Sequence, residues 1–234
     1  DVMLSAERLF QMYLETVGRN ATLILNLPPD RSGELPQATV NRMAELGKLL
    51  TDRLGTDLAL KANIKVSETR NAGANRNYEA TNMIDSEKDT YWAPNDGTTS
   101  ATITLTWDEA QTVRYVSLME YIRLGQRVKS FTVETSEDGV NFTQRASNVK
   151  TTTIGYKRLL RFLTVETKGL RVRILDSRGP ICMNNMGVYY GGEDAQLTWS
   201  PASVAMKSVP FSLKGFDEAQ LTKVVDRNPA TVLF

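Results

Sequence analysis

The chain has 234 residues, of which 41% are hydrophobic and 24% charged, and its formal net charge is +1. These values are ordinary for a globular protein, and a charge so near zero does not indicate binding to nucleic acid or to an anionic membrane. The sequence contains no histidine and a single cysteine, Cys182. It therefore excludes an internal disulfide, an ordinary zinc site and a Ser-His-Asp or Cys-His triad within the chain. Cys182 stands among apolar residues and is predicted to be a buried thiol.

The first 55 residues predict a helix, a strand and a second helix. Apolar side chains follow helical spacing over residues 4–17. The largely apolar run 22–27 ends at a pair of prolines, which predicts a buried strand that stops there, because proline cannot donate to a strand ladder. In the next stretch apolar residues recur at steps of three and four up to Leu54, and Gly55 is placed to end that helix. One strand with two helices is too little for a separate α/β domain, so we expect this region to join a parallel α/β barrel or sheet.

From Leu58 onward the pattern changes to short stretches in which apolar and polar residues alternate. This period of two predicts half-buried strands at residues 102–107, 131–134 and 171–174. The dipeptide at 138–139, Asp-Gly, predicts a hairpin between two strands. Turn-punctuated strands repeated over about 130 residues indicate a β-sandwich. The predicted fold class is therefore mostly β, with a domain boundary near residues 56–60.

One motif resembles the end of a known catalytic domain. Residues 18–30 read Gly-Arg-Asn-Ala-Thr-Leu-Ile-Leu-Asn-Leu-Pro-Pro-Asp. This run resembles the end of the catalytic (β/α) barrel in glycoside hydrolase family 29, the α-L-fucosidases. The resemblance implies that residues 1–55 are the C-terminal end of such a barrel.

The following region resembles a different family. Residues 82–92, 130–142 and 187–190 resemble the early motif, the strand–turn–strand signature and the closing strand of the discoidin, or coagulation-factor type C, jelly roll. Residues 124–128 and 152–158 resemble the version of this domain that follows the barrel in bacterial and plant fucosidases. Together these motifs imply a discoidin-like β-sandwich, similar to carbohydrate-binding modules.

The resemblance divides the chain into three regions. It implies the barrel end at 1–55, the discoidin-like sandwich at 58–190 and an extra β segment at 191–234. Residues 222–233 repeat the spacing of residues 81–92. Both the start of a second module and a chance match are open readings of that repeat.

Two functions compete. The first is the C-terminal portion of a retaining exo-α-L-fucosidase, which releases terminal fucose from oligosaccharides with two carboxylates about 5–5.5 Å apart. In the family both carboxylates lie on earlier barrel strands, so no catalytic residue carries over, and this chain alone is expected to be inactive. The alternative is a stand-alone carbohydrate-binding module that tethers a parent protein to fucosylated or galactosylated glycans. The implied partners are such glycans and the upstream barrel, with no nucleic acid and no membrane span, and the implied location is extracytoplasmic, periplasmic or secreted, in a bacterium.

The resemblance also implies sites for sugar on the loops of the sandwich. Such modules stack aromatic rings on sugars and bind hydroxyls with polar side chains, and the candidates here are Tyr78, Trp92, Asn95, Arg123, Gln126, Arg127, Arg178 and Asn184. The position of Trp92 is usually in the core of the family, so a structural role is the competing reading. The pairs Gln126-Arg127 and Lys157-Arg158 recur in fucosidase-attached sandwiches, where we expect them to dock onto the barrel.

A structural calcium ion is implied for the 85–90 loop. Asp85, Asp89 and Thr90 match candidate oxygen ligands, and hard cations prefer oxygen-rich loops. The family usually adds a glutamate just before the closing strand, but residues 184–187 read Asn-Asn-Met-Gly. The alternative is a turn in which aspartate side chains bond to nearby backbone amides.

Overall fold

The fold is described by a computed structural model over residues 3–71, 78–147 and 150–192. Within these ranges the chain forms two α-helices, α1 (Ala6–Glu15) and α2 (Gln37–Leu54). It also forms six strands: β1 (Asn63–Val66), β2 (Ala101–Glu120), β3 (Val128–Ser136), β4 (Thr143–Gln144), β5 (Arg158–Ser177) and β6 (Met183–Tyr189). The predicted extra segment 191–234 lies outside the described residues except for its first two positions, and the repeat at 222–233 lies wholly outside them.

The two longest strands, β2 and β5, organise the sheet. They pair antiparallel along almost their whole length, with an irregularity between Thr106 and Gln111. On one side of it β1 pairs with β2, β3 pairs with β5 and β4 lies beyond β3, while on the other side β6 pairs with β2. Ile103 from the first part of β2 and Val116 from the second belong to one buried cluster. The two parts of the ladder therefore enclose a common core, which confirms the predicted mostly-β, discoidin-like sandwich.

The local predictions for the sandwich also hold. The three predicted strands lie within β2, β3 and β5. In β5 the alternation is as expected, since Val172 and Ile174 are buried and Arg173 is exposed. The predicted hairpin joins β3 to β4, with Gly139 at a φ of +79° that favours glycine. Cys182 is a buried free thiol.

Both helices pack against the outer face of the sandwich layer formed by β6 and the adjoining parts of β2 and β5. Alternate side chains on these strands point away from the sandwich core to meet the helices, namely Tyr115, Leu159 and Tyr189. The ring of Phe10 in α1 meets Tyr115 edge-on, with 6.5 Å between ring centroids and an angle of 84° between the planes. This layer is consequently buried on both faces.

The segment 22–27 differs from the prediction. It runs without helix or strand structure from residue 21 to residue 30, and Ile24 is 86% exposed. The described sheet is antiparallel throughout, so it offers no parallel neighbour beside which a barrel strand could lie. The barrel itself is thus not shown by this structure, whereas the flanking helices are formed, with α1 starting at the Ser5 cap and α2 ending at Gly55 as expected.

Candidate functional site

The two motifs that resemble fucosidases meet each other in the structure. Arg19 forms an isolated antiparallel bridge with Arg158, and the backbone N–H of Leu159 donates to the carbonyl of Gly18 over 2.9 Å. Residues 18–20 therefore pair, as a short antiparallel segment, beside the first residues of β5. We call this contact, between residues 18–20 and 154–159, the seam.

Asn20 holds the seam with its side chain. Its Nδ2 donates to the carbonyl of Ile154 over 2.9 Å, and its Oδ1 accepts from the backbone N–H of Lys157 over 2.8 Å. The Lys157 ammonium reaches the other way, to 3.4 Å from the hydroxyl of Tyr13 in α1. Lys157 and Arg158 thus contact residues 13–20, and their docking onto a barrel stays a prediction.

The seam is close-packed and electropositive. A Cβ atom on Gly18 would lie 2.5 Å from the carbonyl oxygen of Leu14 and 2.8 Å from the Cβ of Leu159, so the approach of the two segments requires glycine there. Burial and the neighbouring Arg19 charge lower the pKa of Arg158. Two like charges opposite each other weaken strand pairing. The seam is therefore stabilised by the hydrogen bonds of Asn20 and by the close approach of Gly18 to Leu159.

A row of three tyrosine rings lies on the loops of the sandwich. The rings of Tyr91 and Tyr121 stack at 4.5 Å and 18°, and Tyr78 tilts against Tyr91 at 5.3 Å. Arg70 lies over Tyr78 at one end of the row, and Arg123 lies 6.0 Å from Tyr121 at the other. Burial and the hydrogen bond with Tyr78 raise the pKa of Tyr91 to about 12. Because the rings cover one another, the row is not a free platform on which a pyranose could stack.

Three of the predicted sugar-binding residues make contacts within the sandwich. Trp92 is fully buried in the sandwich core, and its indole N–H donates to the carbonyl of Glu68 over 3.0 Å. It has no face for a sugar, which supports the structural reading of this position. Arg127 donates to the carbonyls of Leu124 and Pro180 and so joins two loops of the sandwich. The Asn95 amide donates to the carboxylate of Glu68.

The remaining predicted residues are placed as follows. Arg123 forms an ion pair with Asp89 at 2.7 Å, and Gln126 and Arg178 are exposed. Asn184 is 7% exposed and points at the 85–90 loop. Sequence reasoning missed Tyr91 and Tyr121, which stand 30 positions apart and come together only through folding.

The 85–90 loop is closed by hydrogen bonds. Asp85 accepts from the backbone N–H of Glu87 over 2.8 Å and from the hydroxyl of Thr90 over 2.7 Å. The Nδ2 of Asn184 donates to the carbonyl of Thr90 over 2.6 Å and lies 3.3 Å from the carbonyls of Glu87 and Lys88. A calcium ion needs oxygen atoms turned toward it, whereas here carbonyl oxygens converge on an amide nitrogen. With the Asn184 amide in this orientation, the residues present do not fit the implied calcium ion, because Nδ2 occupies the point on which the carbonyl oxygens converge.

Two carboxylates that the sequence did not single out, one buried and one half-buried, also bind backbone N–H groups. Glu120 is 3% exposed, and it accepts from the backbone N–H groups of Arg127, Val128 and Gly155 over 2.6–2.9 Å. Asp57 caps the turn after α2 and accepts from the N–H of Val188 in β6 over 2.9 Å. Both carboxylates join separate segments of chain, and Glu120 also lines a small pocket beside Tyr121 and Asn184.

The comparison with protein families gives one match of direct consequence. The model of the F5/8 type C domain matches residues 63–185, more than half of the chain. The chain belongs to the F5/8 type C, or discoidin, family. The matched range runs from the start of β1 into β6, so the discoidin domain is the sandwich described above.

Relatives of this discoidin chain include fucosidases. It is 30% identical over 185 residues to α-L-fucosidase 1 of Arabidopsis thaliana, an alignment that covers 79% of the chain and 36% of that protein. A GH29 fucosidase from Ruminococcus gnavus, solved in complex with fucose, matches with a TM-score of 0.73 and 33% identity over 81% of the chain and 37% of that structure. A Bacteroides thetaiotaomicron protein, provisionally named an α-L-fucosidase, matches with a TM-score of 0.74 and 31% identity over 80% and 40%.

These matches extend beyond the discoidin domain itself, since the family model covers residues 63–185 whereas the fucosidase alignments cover about four fifths of the chain. The predicted relation to the C-terminal discoidin part of a GH29 fucosidase is confirmed. The chain spans only about a third of the length of its curated relative. Among the described residues, no helix is long and apolar enough to cross a membrane.

Proposed function

We propose that this chain is the C-terminal portion of a retaining exo-α-L-fucosidase, in which the discoidin domain holds the last part of the catalytic barrel in place. The observation that carries the proposal is the seam. There, the barrel-like motif at residues 18–20 is bonded to the fucosidase-like motif of the sandwich through Asn20. Such a contact fixes one end of the barrel relative to the sandwich.

An exposed apolar groove supports the same proposal. The discoidin domain covers one side of α1 and α2, but on another side residues 24–28 and both helices line a groove of about 530 Å³. Apolar side chains dominate it: Met3, Leu4, Ile24, Leu25, Leu27 and Met43. Contiguous exposed apolar surface marks an interaction site. Since the fucosidase relatives are about three times longer than the matched region, we assign the groove to the upstream part of the barrel.

Three carboxylates of the chain that lie wholly or partly inside the protein have structural roles, which supports an active site elsewhere. Glu120 and Asp57 bind backbone N–H groups, as described above. Glu134 is paired with Arg171 at 2.7 Å. A retaining glycosidase needs one carboxylate as nucleophile and another as acid and base, both open to the sugar. We therefore place both catalytic carboxylates in the upstream barrel, in an extracytoplasmic enzyme that acts on fucosylated glycans.

The test compares this 234-residue chain with the same chain extended upstream through the barrel. The extended protein is expected to hydrolyse an aryl α-L-fucoside and to release α-fucose first, as proton NMR of the fresh product would detect. The present chain is expected to give no turnover. Turnover by the present chain that disappears in Glu120→Gln or Glu134→Gln would contradict the proposal, and so would an extended protein that releases β-fucose first.

A second function, glycan binding by the discoidin domain, is favoured by one small pocket. Its volume is about 170 Å³, and it is lined by Lys88, Tyr121, Arg123 and Tyr156 among others. Tyr156 is 58% exposed, so its ring is available for stacking although the tyrosine row is not. Binding of fucosylated or galactosylated oligosaccharides on a glycan array, lost in Tyr156→Ala but kept in Tyr190→Ala, would support this function. Silence of the wild-type chain on the array would count against it.

A further inference from the structure

We propose that the Asn184 amide takes the place of a calcium ion in this chain, so that the 85–90 loop keeps its conformation without any divalent cation. Asn184 lies in β6, behind the loop, where its side chain is 7% exposed. The inference concerns the stability of the discoidin domain and does not rest on the fucosidase assignment proposed above.

The Nδ2 atom of Asn184 lies where a cation bound by the loop carbonyls would lie. Three backbone carbonyls, those of Glu87, Lys88 and Thr90, face Nδ2 at 3.3, 3.3 and 2.6 Å. An amide nitrogen carries two protons, so one is donated to Thr90 and the other is shared between the two farther carbonyls. The opposite orientation would press Oδ1 against three carbonyl oxygens, which is unfavourable unless a cation lies between them. The donor orientation satisfies the carbonyls with the chain's own atoms.

The other candidate ligands are also satisfied by protein donors. One oxygen of Asp85 accepts from the Glu87 N–H and the other from the Thr90 hydroxyl. The carboxylate of Asp89 is turned to Arg123, with 2.7 Å between the charged atoms. A calcium ion in this position would have to rotate the Asn184 amide so that Oδ1 faced it, and it would compete with these donors for the oxygens of Asp85 and Asp89. Asn184 also brings no negative charge, unlike the glutamate that the resemblance places near this position.

The first measurement is the thermal unfolding of the 234-residue chain in EDTA and with excess calcium chloride, with magnesium chloride at equal ionic strength as the salt control. The same Tm in all three solutions is expected. A calcium-specific rise in Tm that saturates with concentration would overturn the proposal.

The second measurement uses Asn184→Asp, which exchanges the amide NH₂ for an oxygen of nearly the same size and adds a charge. In EDTA its Tm is expected to fall by several degrees, because carboxylate and carbonyl oxygens then face one another. Calcium, but not magnesium, is expected to restore part of the loss. The matched control is Asn185→Asp, which adds the same charge at the next position of β6 and is expected to show no calcium response.

An Asn184→Asp variant that responds to calcium no more than Asn185→Asp would overturn the proposal. If Asn184→Asp does not fold, the side-chain NH₂ resonances of Asn184 in the wild-type chain decide the question. Slow exchange of these protons with solvent, unchanged by calcium, is expected of an amide that donates to buried carbonyls. Fast exchange, or a shift that follows the calcium concentration, would contradict it.

Discussion

Asn20 and Gly155 face each other across the seam, and both have a positive φ of 69°. The Asn20 amide brackets the glycine by bonding to the carbonyl of Ile154 on one side and to the N–H of Lys157 on the other. A Cβ atom on Gly155 would lie 2.7 Å from the Asn20 Oδ1. The two residues are thus fitted to each other, although they belong to regions that the sequence assigns to different domains.

Replacement of Asn20 is expected to loosen the seam. Asn20→Ala removes two hydrogen bonds, and alanine tolerates a positive φ less well than asparagine. We expect a loss of about 1–3 kcal/mol in the free energy of unfolding, measured by urea denaturation. The control is Asn26→Ala, an exposed asparagine in the neighbouring segment, with a change within about 0.5 kcal/mol. Equal effects of the two variants would mean that the seam does not depend on the Asn20 side chain.

Gly155→Ala is expected to destabilise the chain for two separable reasons, its positive φ and its contact with Asn20. In the Asn20→Ala background the contact is gone, so the loss caused by Gly155→Ala is expected to be smaller by about 0.5–3 kcal/mol, the coupling typical of touching residues. Gly97→Ala isolates the first reason, because Gly97 has a φ of +87° and nothing within 4 Å of its added Cβ. A double-mutant cycle in urea checks this prediction, and strict additivity of the two changes would refute the fitted contact.

Asp57 is expected to give the chain a stability that falls as the pH rises. Burial raises the pKa of this carboxyl above its ordinary 3.8, and the N–H donors of Val188 and Ala59 offset only part of that effect. Between the unfolded and folded pKa values the native state holds more protons than the unfolded state, so the free energy of unfolding decreases with rising pH across that interval. Asp57→Asn keeps one oxygen for the two N–H donors and removes the titration.

Urea unfolding at a series of pH values from about 3.5 upward measures this difference. Relative to the wild type, Asp57→Asn is expected to gain stability as the pH rises through the interval and then to remain level. A relative stability that does not change with pH would show that Asp57 is not held with a raised pKa.

Asp138 is expected to give the chain a stability that rises, rather than falls, as the pH rises. In the β3–β4 hairpin its carboxylate accepts from the N–H groups of Asn141 and Val140 and from the Ser136 hydroxyl, and these bonds lower its pKa. The stabilisation is present above the unfolded pKa and is lost as the pH falls toward the folded value. Asp138→Asn is therefore expected to be less stable than the wild type at neutral pH, with a difference that shrinks in acid. A difference that grows in acid would reverse the assignment.

The sandwich was predictable because its signals are local. The period of two around Val172 and Ile174 follows directly from burial of one face of a strand. The loops were predictable only as loops, since their contacts join positions far apart in the chain. Nothing local to Tyr91 indicates that its ring will stack on Tyr121, and nothing near Thr90 indicates that its carbonyl will receive the amide of Asn184. For the same reason, motif matching selected Trp92 by residue type, although its ring fills the core.

At residues 22–27 the local sequence signals predict a strand, but the structure does not form one. Residues 22–27 have the apolar run and the terminating prolines of a buried parallel strand, and the flanking helices form where predicted. A strand, however, is stabilised by its neighbours, and the antiparallel sandwich layer has its outer face occupied by the helices. Among the described residues the segment therefore has no ladder partner and forms no strand.

Ile24 is the residue on which this exposed segment can be tested. Its side chain is 86% exposed and lines the apolar groove, so the isolated chain is expected to associate through this surface with increasing concentration. Ile24→Asp is expected to weaken the association in sedimentation velocity while it changes the free energy of unfolding by less than about 0.5 kcal/mol. Val140→Asp is the matched control, because Val140 is 75% exposed but lies in the β3–β4 hairpin, away from the groove.

In the chain extended through the barrel, the expected effect of Ile24→Asp on stability is the reverse. There Ile24 becomes buried, and Ile24→Asp lowers the free energy of unfolding by at least the roughly 1.5–3 kcal/mol of a buried aliphatic side chain. If Ile24→Asp is harmless in the extended protein as well, the groove does not receive the barrel.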